Sequence, residues 1–166
     1  MKEGELKFAQ FLKRTVVLGD ETELSIFLAK ELEYYYLNQK YGLDSEVEEL
    51  PICIVSPFRN FKKVQNSWRY FESINNQNYS NYKVVMSDDV SDDGSIEYIK
   101  QEITKYPRLN NRLLLLRNSE HVGALGNKDY GVRHRCQEGS IVLEIDSDDA
   151  LIGTQVLNLY NRVYQG

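Results

Sequence analysis

The sequence has few of the residues that mark several common functional classes. Its 166 residues contain no run of 18 apolar residues, so no transmembrane helix is expected. The charged N-terminus lacks the apolar segment of a signal peptide, which favours a cytoplasmic protein or one held at the cytosolic face of a membrane through a segment outside this chain. The two cysteines, Cys53 and Cys136, cannot make a disulfide framework. We expect Cys53 to pack in a buried strand and no zinc site to form.

Glycine-rich phosphate loops are also missing. Neither G-x-G-x-x-G nor G-x-x-x-x-G-K-[ST] follows the first predicted strand, where the sequence reads Ser56-Pro57-Phe58-Arg59-Asn60. The chain is therefore neither a dinucleotide-dependent dehydrogenase nor a P-loop NTPase. Because no loop is available to cradle phosphate with its backbone, a metal ion that bridges the protein and a diphosphate is the better account of phosphate binding.

The net charge of −5 is unevenly distributed along the chain. Residues 1–50 carry 6 basic and 11 acidic residues, whereas residues 51–166 carry 14 of each. The basic residues are dispersed and form no stripe of the kind that binds nucleic acid, so no nucleic-acid partner is expected. The acidic excess belongs to the first segment, while many acids of the second segment are concentrated in two clusters.

The sequence divides into a helical N-terminal extension, residues 1–50, and an α/β domain, residues 51–166. In the extension, Glu21–Tyr41 has an apolar stripe at helical spacing, and Gly42 is expected to end that helix. An earlier helix is expected around Glu5–Val17. Two interpretations of the extension stay open: an appendage packed on the main body, or a partner-binding helical module.

Four short apolar segments about 30 residues apart predict the strands of the α/β domain, and these are Ile52–Ser56, Lys83–Met86, Arg112–Leu116 and Ile141–Ile145. Intervening segments at helical spacing predict helices over Lys62–Ile74, Ile96–Tyr106, Asn127–Cys136 and Gly153–Tyr164. Pro57 is expected to end the first strand. This alternation predicts a Rossmann-like parallel sheet with right-handed crossovers, and ligands bind such sheets at the carboxyl ends of the strands.

Two aspartate clusters follow the second and fourth predicted strands. They contain Asp88, Asp89, Asp92 and Asp93 in the first and Asp146, Asp148 and Asp149 in the second. The fold places both at one edge of the sheet, where a hard cation such as Mg²⁺ or Mn²⁺ would relieve the repulsion between carboxylates. The alternative left open is a pair of solvated turns with N-capping aspartates. The first cluster is not an EF-hand, because its twelfth position is Lys100 instead of a glutamate.

Four segments in order resemble family 2 glycosyltransferases of the GT-A fold. Pro57–Asn60 stands where that family has Pro-x-x-Asn, and Asp88–Ser95 is similar to its Asp-Asp-Gly-Ser-x-Asp-Gly-Ser/Thr segment. Gly123–Asn127 is similar to its Gly-Ala-Leu-x-Asn segment, and Asp146–Asp149 matches its Asp-x-Asp motif with the neighbouring acid. The resemblance covers about 100 residues, Ile52–Ile152, and implies the nucleotide-sugar-binding half of such an enzyme.

The resemblance also implies a role for residues at the first two strand ends. Pro57 would line the pocket of the nucleotide base, and Asp89 would accept a hydrogen bond from the base while Asp88 supports the turn. Arg59 stands where many members have a base-stacking tyrosine, which leaves the choice of nucleotide open. Val90 replaces a glycine, so the turn has to form without the free access to positive φ that glycine provides.

The remaining roles concern the donor and the metal. Gly123 and Asn127 would border the donor, which is most often a UDP-sugar in such families. Asp146 and Asp148 would bind the ribose and diphosphate through Mn²⁺ or Mg²⁺, with Asp149 sharing the ligation. The metal would stabilise the departing nucleoside diphosphate while a hydroxyl of a glycan, protein or lipid acceptor attacks in a single inverting displacement.

Only 17 residues follow Asp149, and the acceptor half of the family lies after that point, so no catalytic base can be named. The sequence therefore predicts a metal-assisted glycosyltransferase if the whole protein has an acceptor half. The alternative is a donor-binding fragment or pseudoenzyme that transfers nothing. A sugar-nucleotide nucleotidyltransferase is disfavoured, because the segment after the first strand lacks the glycine-rich loop that such an enzyme needs.

Overall fold

A computed structural model describes residues 34–42 and 46–165. The chain divides into two compact units, Met1–Glu46 and Val47–Gly166. In the first unit, residues 34–41 are helical, and Gly42 follows at φ 64° with its N–H donated to the Asn38 carbonyl at 2.7 Å. This left-handed glycine ends the helix as predicted. The beginning of that helix and the one predicted around Glu5–Val17 lie outside the described residues.

The second unit is built on one parallel sheet. Its strands are β1 (Ile52–Phe58), β2 (Tyr82–Asp88), β3 (Leu113–Arg117) and β4 (Ile141–Glu144). They lie side by side in the order β3-β2-β1-β4, and every neighbouring pair is parallel. The predicted α/β fold with a parallel sheet is therefore confirmed. β1 is buried along its whole length, which explains why its sequence is a nearly continuous apolar run.

The expectation that Pro57 ends β1 was wrong, because the strand continues through Pro57 to Phe58. In a parallel strand, residues of the same parity direct their backbone groups to the same neighbour. Val55 faces β4, since its carbonyl accepts the Ile145 N–H at 3.2 Å, and Pro57 therefore faces the same side. The β4 pairing has already ended at Val55, so the missing N–H of the proline costs no ladder hydrogen bond.

Five helices connect or follow the strands: α1 (Trp68–Asn75), α2 (Ser95–Glu102), α3 (Pro107–Asn110), α4 (Gly123–Arg135) and α5 (Val156–Gln165). The helix predicted over Lys62–Ile74 begins six residues later than expected, at Trp68, and a 3-10 turn at Phe61–Lys63 precedes it. Pro107 begins α3 instead of merely following a helix, as suits a residue without an N–H. Over the described residues, no helix is both long enough and apolar enough to cross a membrane.

The two faces of the sheet carry unequal cores. The larger core joins α1, α2, α3 and α5 to one face through buried residues such as Phe71, Ile99 and Leu157. On the other face, α4 is the helix that packs among the described residues, and it approaches so closely that a Cβ on Gly131 would lie 2.9 Å from Val55 Cγ1. Trp68, the first residue of α1, is 43% exposed.

Cys53 of β1 and Cys136, the residue after α4, form a disulfide with their Cα atoms 5.6 Å apart. Cys53 is buried as predicted. The two cysteines are too few for the disulfide framework that the sequence analysis excluded, but they do form this one bond. The two positions are 83 apart in the sequence and gave no local signal, since only the packing of α4 on β1 brings them together. Disulfides are rare in cytosolic proteins, so the observed bond weighs against the cytoplasmic location, which stays a prediction.

Reduction of the disulfide should destabilise the fold. The loop-entropy account gives a loss of up to about 4–5 kcal/mol in the free energy of unfolding for a loop of this length. Thermal unfolding followed by circular dichroism, with and without dithiothreitol, measures the effect. The double variant Cys53→Ala/Cys136→Ala is the control and should not respond to the reductant. An unchanged melting temperature in fully reduced wild-type protein would contradict the expectation.

Candidate functional site

The carboxyl ends of β1, β2 and β4 border a cleft of about 350 Å³. Six of the nine residues that the sequence assigned to a site line this cleft, namely Pro57, Arg59, Asp89, Asn127, Asp146 and Asp148. Of the other three, Asp88 is fully buried at the end of β2 and Gly123 is the first residue of α4. Asp149 lines a neighbouring cavity instead. The topology thus gathers segments that are far apart in sequence.

The Asp89 carboxylate caps the N-terminus of α4. One oxygen accepts the Val122 N–H at 2.9 Å and the Asn118 side-chain amide at 3.2 Å. The other accepts the Gly123 N–H at 2.9 Å and lies 2.5 Å from His121 Nδ1. A carboxylate in this place accepts hydrogen bonds from backbone N–H groups that have no partner within the helix. Its negative charge also interacts favourably with the positive end of the helix dipole.

These contacts control the ionisation of Asp89. Burial is the largest single influence and raises its pKa, but the hydrogen bonds from Val122, Asn118 and Gly123 and the charge of His121 together lower the pKa below its ordinary value. The carboxylate is therefore ionised at neutral pH. Its predicted role as a hydrogen-bond acceptor for a base stays a prediction, because in this structure both oxygens already accept hydrogen bonds from the protein.

Asp88, which directly precedes Asp89, stabilises the turn after β2. Its Oδ1 accepts the N–H of Ser91 at 2.9 Å and also the Ser91 hydroxyl. Its Oδ2 lies 3.6 Å from Nε of Arg117, and the same guanidinium donates to the Ser91 carbonyl at 2.9 Å. The Ser91 hydroxyl accepts the Asn60 N–H at 2.8 Å, which ties this turn to the one after β1.

Val90 takes the left-handed conformation, at φ 60°. The turn therefore keeps the backbone shape that a glycine would adopt freely, although a β-branched side chain disfavours it. Strain of this kind persists where the surrounding contacts fix the backbone. Here the flanking Asp89 and Ser91 are both held by the hydrogen bonds described above.

Replacing Val90 by glycine should stabilise the protein. Removing the strain of a left-handed non-glycine residue should raise the free energy of unfolding by about 1–2 kcal/mol. The extra freedom of glycine in the unfolded chain should lower it by about 0.5–1 kcal/mol. A gain of about 0.5–1 kcal/mol in urea unfolding is therefore expected. Val90→Ala, which keeps the Cβ, is the matched control and should bring no such gain. Destabilisation by Val90→Gly would show that the turn carries no strain.

Asn127 is almost completely buried beside the cleft. Its side-chain amide donates to the Ser87 carbonyl at 3.3 Å, and its oxygen accepts the Asn118 amide at 2.6 Å. These bonds join α4 to the end of β2 and to the loop after β3. Asn127 thus helps to fix the wall of the cleft.

The Asp-x-Asp segment is a turn directly after β4. The Asp149 N–H donates to the Asp146 carbonyl at 3.0 Å, and Ser147 is buried while the three aspartates are exposed. Nζ of Lys128, on α4, lies 3.3 Å from Asp146 Oδ1 and 3.2 Å from Glu144 Oε2. The hydrogen bond to Glu144, followed by contacts with Asp146, raises the pKa of Lys128 despite partial burial. Nothing in the sequence pattern marked Lys128, although it follows Asn127 directly.

Carboxylate oxygens are suitable ligands for Mn²⁺ or Mg²⁺, so the chemistry of the Asp-x-Asp turn fits such an ion. Its geometry is less complete. In the part of the chain that the structure describes, no three His, Cys, Asp or Glu side chains converge as a metal site would require. Asp148 lines the cleft, Asp149 lines the neighbouring cavity, and Asp146 lies between the two.

The sequence profile of Glycosyl transferase family 2 matches residues 53–166, more than half of the chain. The chain belongs to glycosyl transferase family 2. The resemblance found in its motifs is thereby confirmed, and the match extends beyond Ile152 to the last residue. No protein of curated function gives a significant match.

Solved structures of glycosyltransferases share the fold. The mannosyltransferase PcManGT from Pyrobaculum calidifontis, in complex with GDP-Man and Mn²⁺, has 19% identity and a TM-score of 0.59, over 90% of this chain and 43% of that one. TarS 1-349 from S. aureus in complex with UDP has 20% identity and a TM-score of 0.53, over 64% of this chain and 30% of that one. The sheet is thus of the GT-A type, and this chain spans less than half the length of either relative.

The lowered pKa of Asp89 gives a testable pH dependence. Because its folded pKa is below the unfolded value, its contribution to stability is complete above about pH 4 and is lost as the pH falls through the folded pKa. At pH 7 Asp89→Asn should lose about 2 kcal/mol or more, the scale of charge-assisted hydrogen bonds. The difference from wild type should shrink in acid.

Urea unfolding of wild type and Asp89→Asn from pH 7 down to pH 2.5 measures this dependence. The control is Asp92→Asn, since Asp92 is exposed and pairs only loosely with Lys63 at 3.7 Å. That variant should stay within about 0.5 kcal/mol of wild type throughout. A pH-independent difference for Asp89→Asn would contradict the ionised cap.

Proposed function

We propose that this chain is the donor-binding part of a nucleotide-sugar-dependent glycosyltransferase. The observation that carries the proposal is the cleft at the carboxyl ends of the strands, where six separately predicted residues meet in a chain of family 2. Ligands of open parallel sheets bind at that edge. TarS in complexes with UDP and UDP-GlcNAc, and PcManGT in complex with GDP-Man and Mn²⁺, support a nucleotide-sugar as the ligand class.

Each wall of the cleft suits one part of such a donor. Pro57 and Arg59 provide an apolar surface and a planar cation against which a base can stack. Asp146 and Asp148 provide oxygens for the ribose and, through a cation, for the diphosphate. Asn127 and the Gly123 end of α4 form the wall beside the donor, and Asp149 supplies a further carboxylate at the turn.

The proposed reaction is transfer of the sugar to a hydroxyl of a glycan, protein or lipid acceptor. The hydroxyl oxygen forms a bond to the anomeric carbon as the bond to the nucleoside diphosphate breaks, with inversion, and the hydroxyl proton passes to a base that this chain does not identify. When bound, Mn²⁺ or Mg²⁺ would offset the charge that develops on the diphosphate. The chain's own part is to orient the donor and exclude water from the cleft.

A second candidate is binding of the donor without transfer. One observation favours it: the described residues gather no three-ligand metal site. Product analysis with a UDP-sugar and a panel of acceptors separates the candidates. A sugar-transfer product supports the enzyme, whereas tight binding without any product supports the binding module.

Calorimetry with UDP, GDP and their sugars, with and without Mn²⁺, tests the donor site. Wild type should bind at least one of these nucleotides more tightly when Mn²⁺ is present. Asp148→Ala should weaken that binding by at least about tenfold, the scale of losing even an outer-shell partner of a metal.

Asp92→Ala is the matched control, since Asp92 is an exposed aspartate outside the cleft, and its affinity should equal that of wild type. If wild type binds none of the nucleotides, or if Asp148→Ala binds as well as wild type, the site assignment is wrong.

A further inference from the structure

The Asp146 carboxylate, on which the proposed metal site depends, is already paired with a cation of the protein. Lys128 Nζ lies 3.3 Å from Asp146 Oδ1 and 3.2 Å from Glu144 Oε2. The lysine side chain is only 23% exposed, while the two carboxylates are 62% and 52% exposed. One half-buried ammonium group thus bridges the acid of β4 and the first acid of the Asp-x-Asp turn.

Lys128 contacts Asp146 from the side of a second cavity next to the cleft. Asp146 separates two cavities: the donor cleft, which Asp148 also lines, and a second cavity of about 380 Å³, which Asp149 also lines. Lys128 and Glu144 line the second cavity and not the cleft. The ion pair therefore holds Asp146 where the two cavities meet, on the side of the second cavity. Among the described residues no three metal-ligating side chains converge there.

The anchor of this lysine is rigid. It stands on α4, whose neighbouring Asn127 is bonded to β2 and whose C-terminus is joined to β1 through Cys136. The ammonium group can therefore move only as far as its own side chain allows. A divalent ion at Asp146 has to break the pair with Lys128 or sit beside a second positive charge, and both oppose binding.

We propose that Lys128 is a built-in competitor of the divalent metal at Asp146. In the metal-free protein its single positive charge is shared between Asp146 and Glu144, and a metal binds at the turn only as Asp146 leaves Lys128 and turns to Asp148 at the cleft. Lys128 is in this sense a positioning residue, because it determines toward which of the two cavities the Asp146 carboxylate is directed. The inference rests on the proposed function, since that proposal assigns the metal to the Asp-x-Asp turn.

Binding of Mn²⁺ alone, without nucleotide, tests the competition. Lys128→Met removes the charge and keeps most of the side-chain length, so Mn²⁺ should bind about fivefold more tightly or better, the fold-change expected for releasing one partly exposed ion pair. Lys128→Arg keeps the charge and should bind Mn²⁺ as wild type does. The readout is free Mn²⁺ by electron paramagnetic resonance over a titration.

The matched control is Lys105→Met, which breaks a similar pair with Glu102, at 2.7 Å on α2 and the adjoining 3-10 turn. It should leave Mn²⁺ affinity unchanged. Lys128→Gln gives the same test if the methionine variant does not fold. Unchanged or weaker Mn²⁺ binding in the neutral Lys128 variants, or no Mn²⁺ binding by any variant, overturns the proposal. Failure of nucleotide binding by wild type would overturn the donor site and leave this comparison decisive on its own.

Discussion

The contact between the Asp89 carboxylate and the N-terminus of α4 is the one on which the cleft depends. Asp89 follows β2, and α4 begins after the loop that follows β3, so a single side chain fixes two segments more than 30 residues apart. Asn118, from that loop, bonds both Asp89 and Asn127. The same group of bonds thus fixes the beginning of α4 against the end of β2, beside the cleft.

The rest of α4 shows why its start matters. The helix packs on one face of the sheet with Gly131 close against Val55, and its end is joined to β1 by Cys136 and Cys53. It is therefore held at its beginning, middle and end. From this fixed helix Lys128 reaches the Asp-x-Asp turn. α4 therefore forms one wall of the cleft and also restrains Asp146 in the wall opposite.

Much of the fold was predictable because buried parallel strands produce apolar runs that need no knowledge of their partners. All four strands and the edge that carries the aspartates follow from that signal. The errors arose where the outcome depends on neighbours. Pro57 is tolerated in β1 only because β4 is short, and Cys53 meets Cys136 only because α4 lies on β1.

The site divides in the same way. Residue types and their order predicted which aspartates lie near the cleft, because strand ends determine their position. The contacts of those aspartates were not predictable, since a carboxylate does not reveal in sequence whether it binds a ligand, caps a helix as Asp89 does, or pairs with a lysine as Asp146 does. Val90 illustrates a further limit. Its substitution for glycine predicted a turn formed without free access to positive φ, and the residue adopts the left-handed shape all the same while the contacts of its neighbours hold the turn.

The central claim is that the Asp89 carboxylate organises the α4 wall of the cleft, and hydrogen exchange at single amides tests it most directly. In wild type at pH 7 the amides of Val122 and Gly123 should exchange slowly, because both donate to Asp89. In Asp89→Ala both should exchange at least about tenfold faster, the rate change that corresponds to about 1.4 kcal/mol, while the amide of Val55 in β1 keeps its protection. Equal exchange at Val122 and Gly123 in the two proteins would contradict the claim.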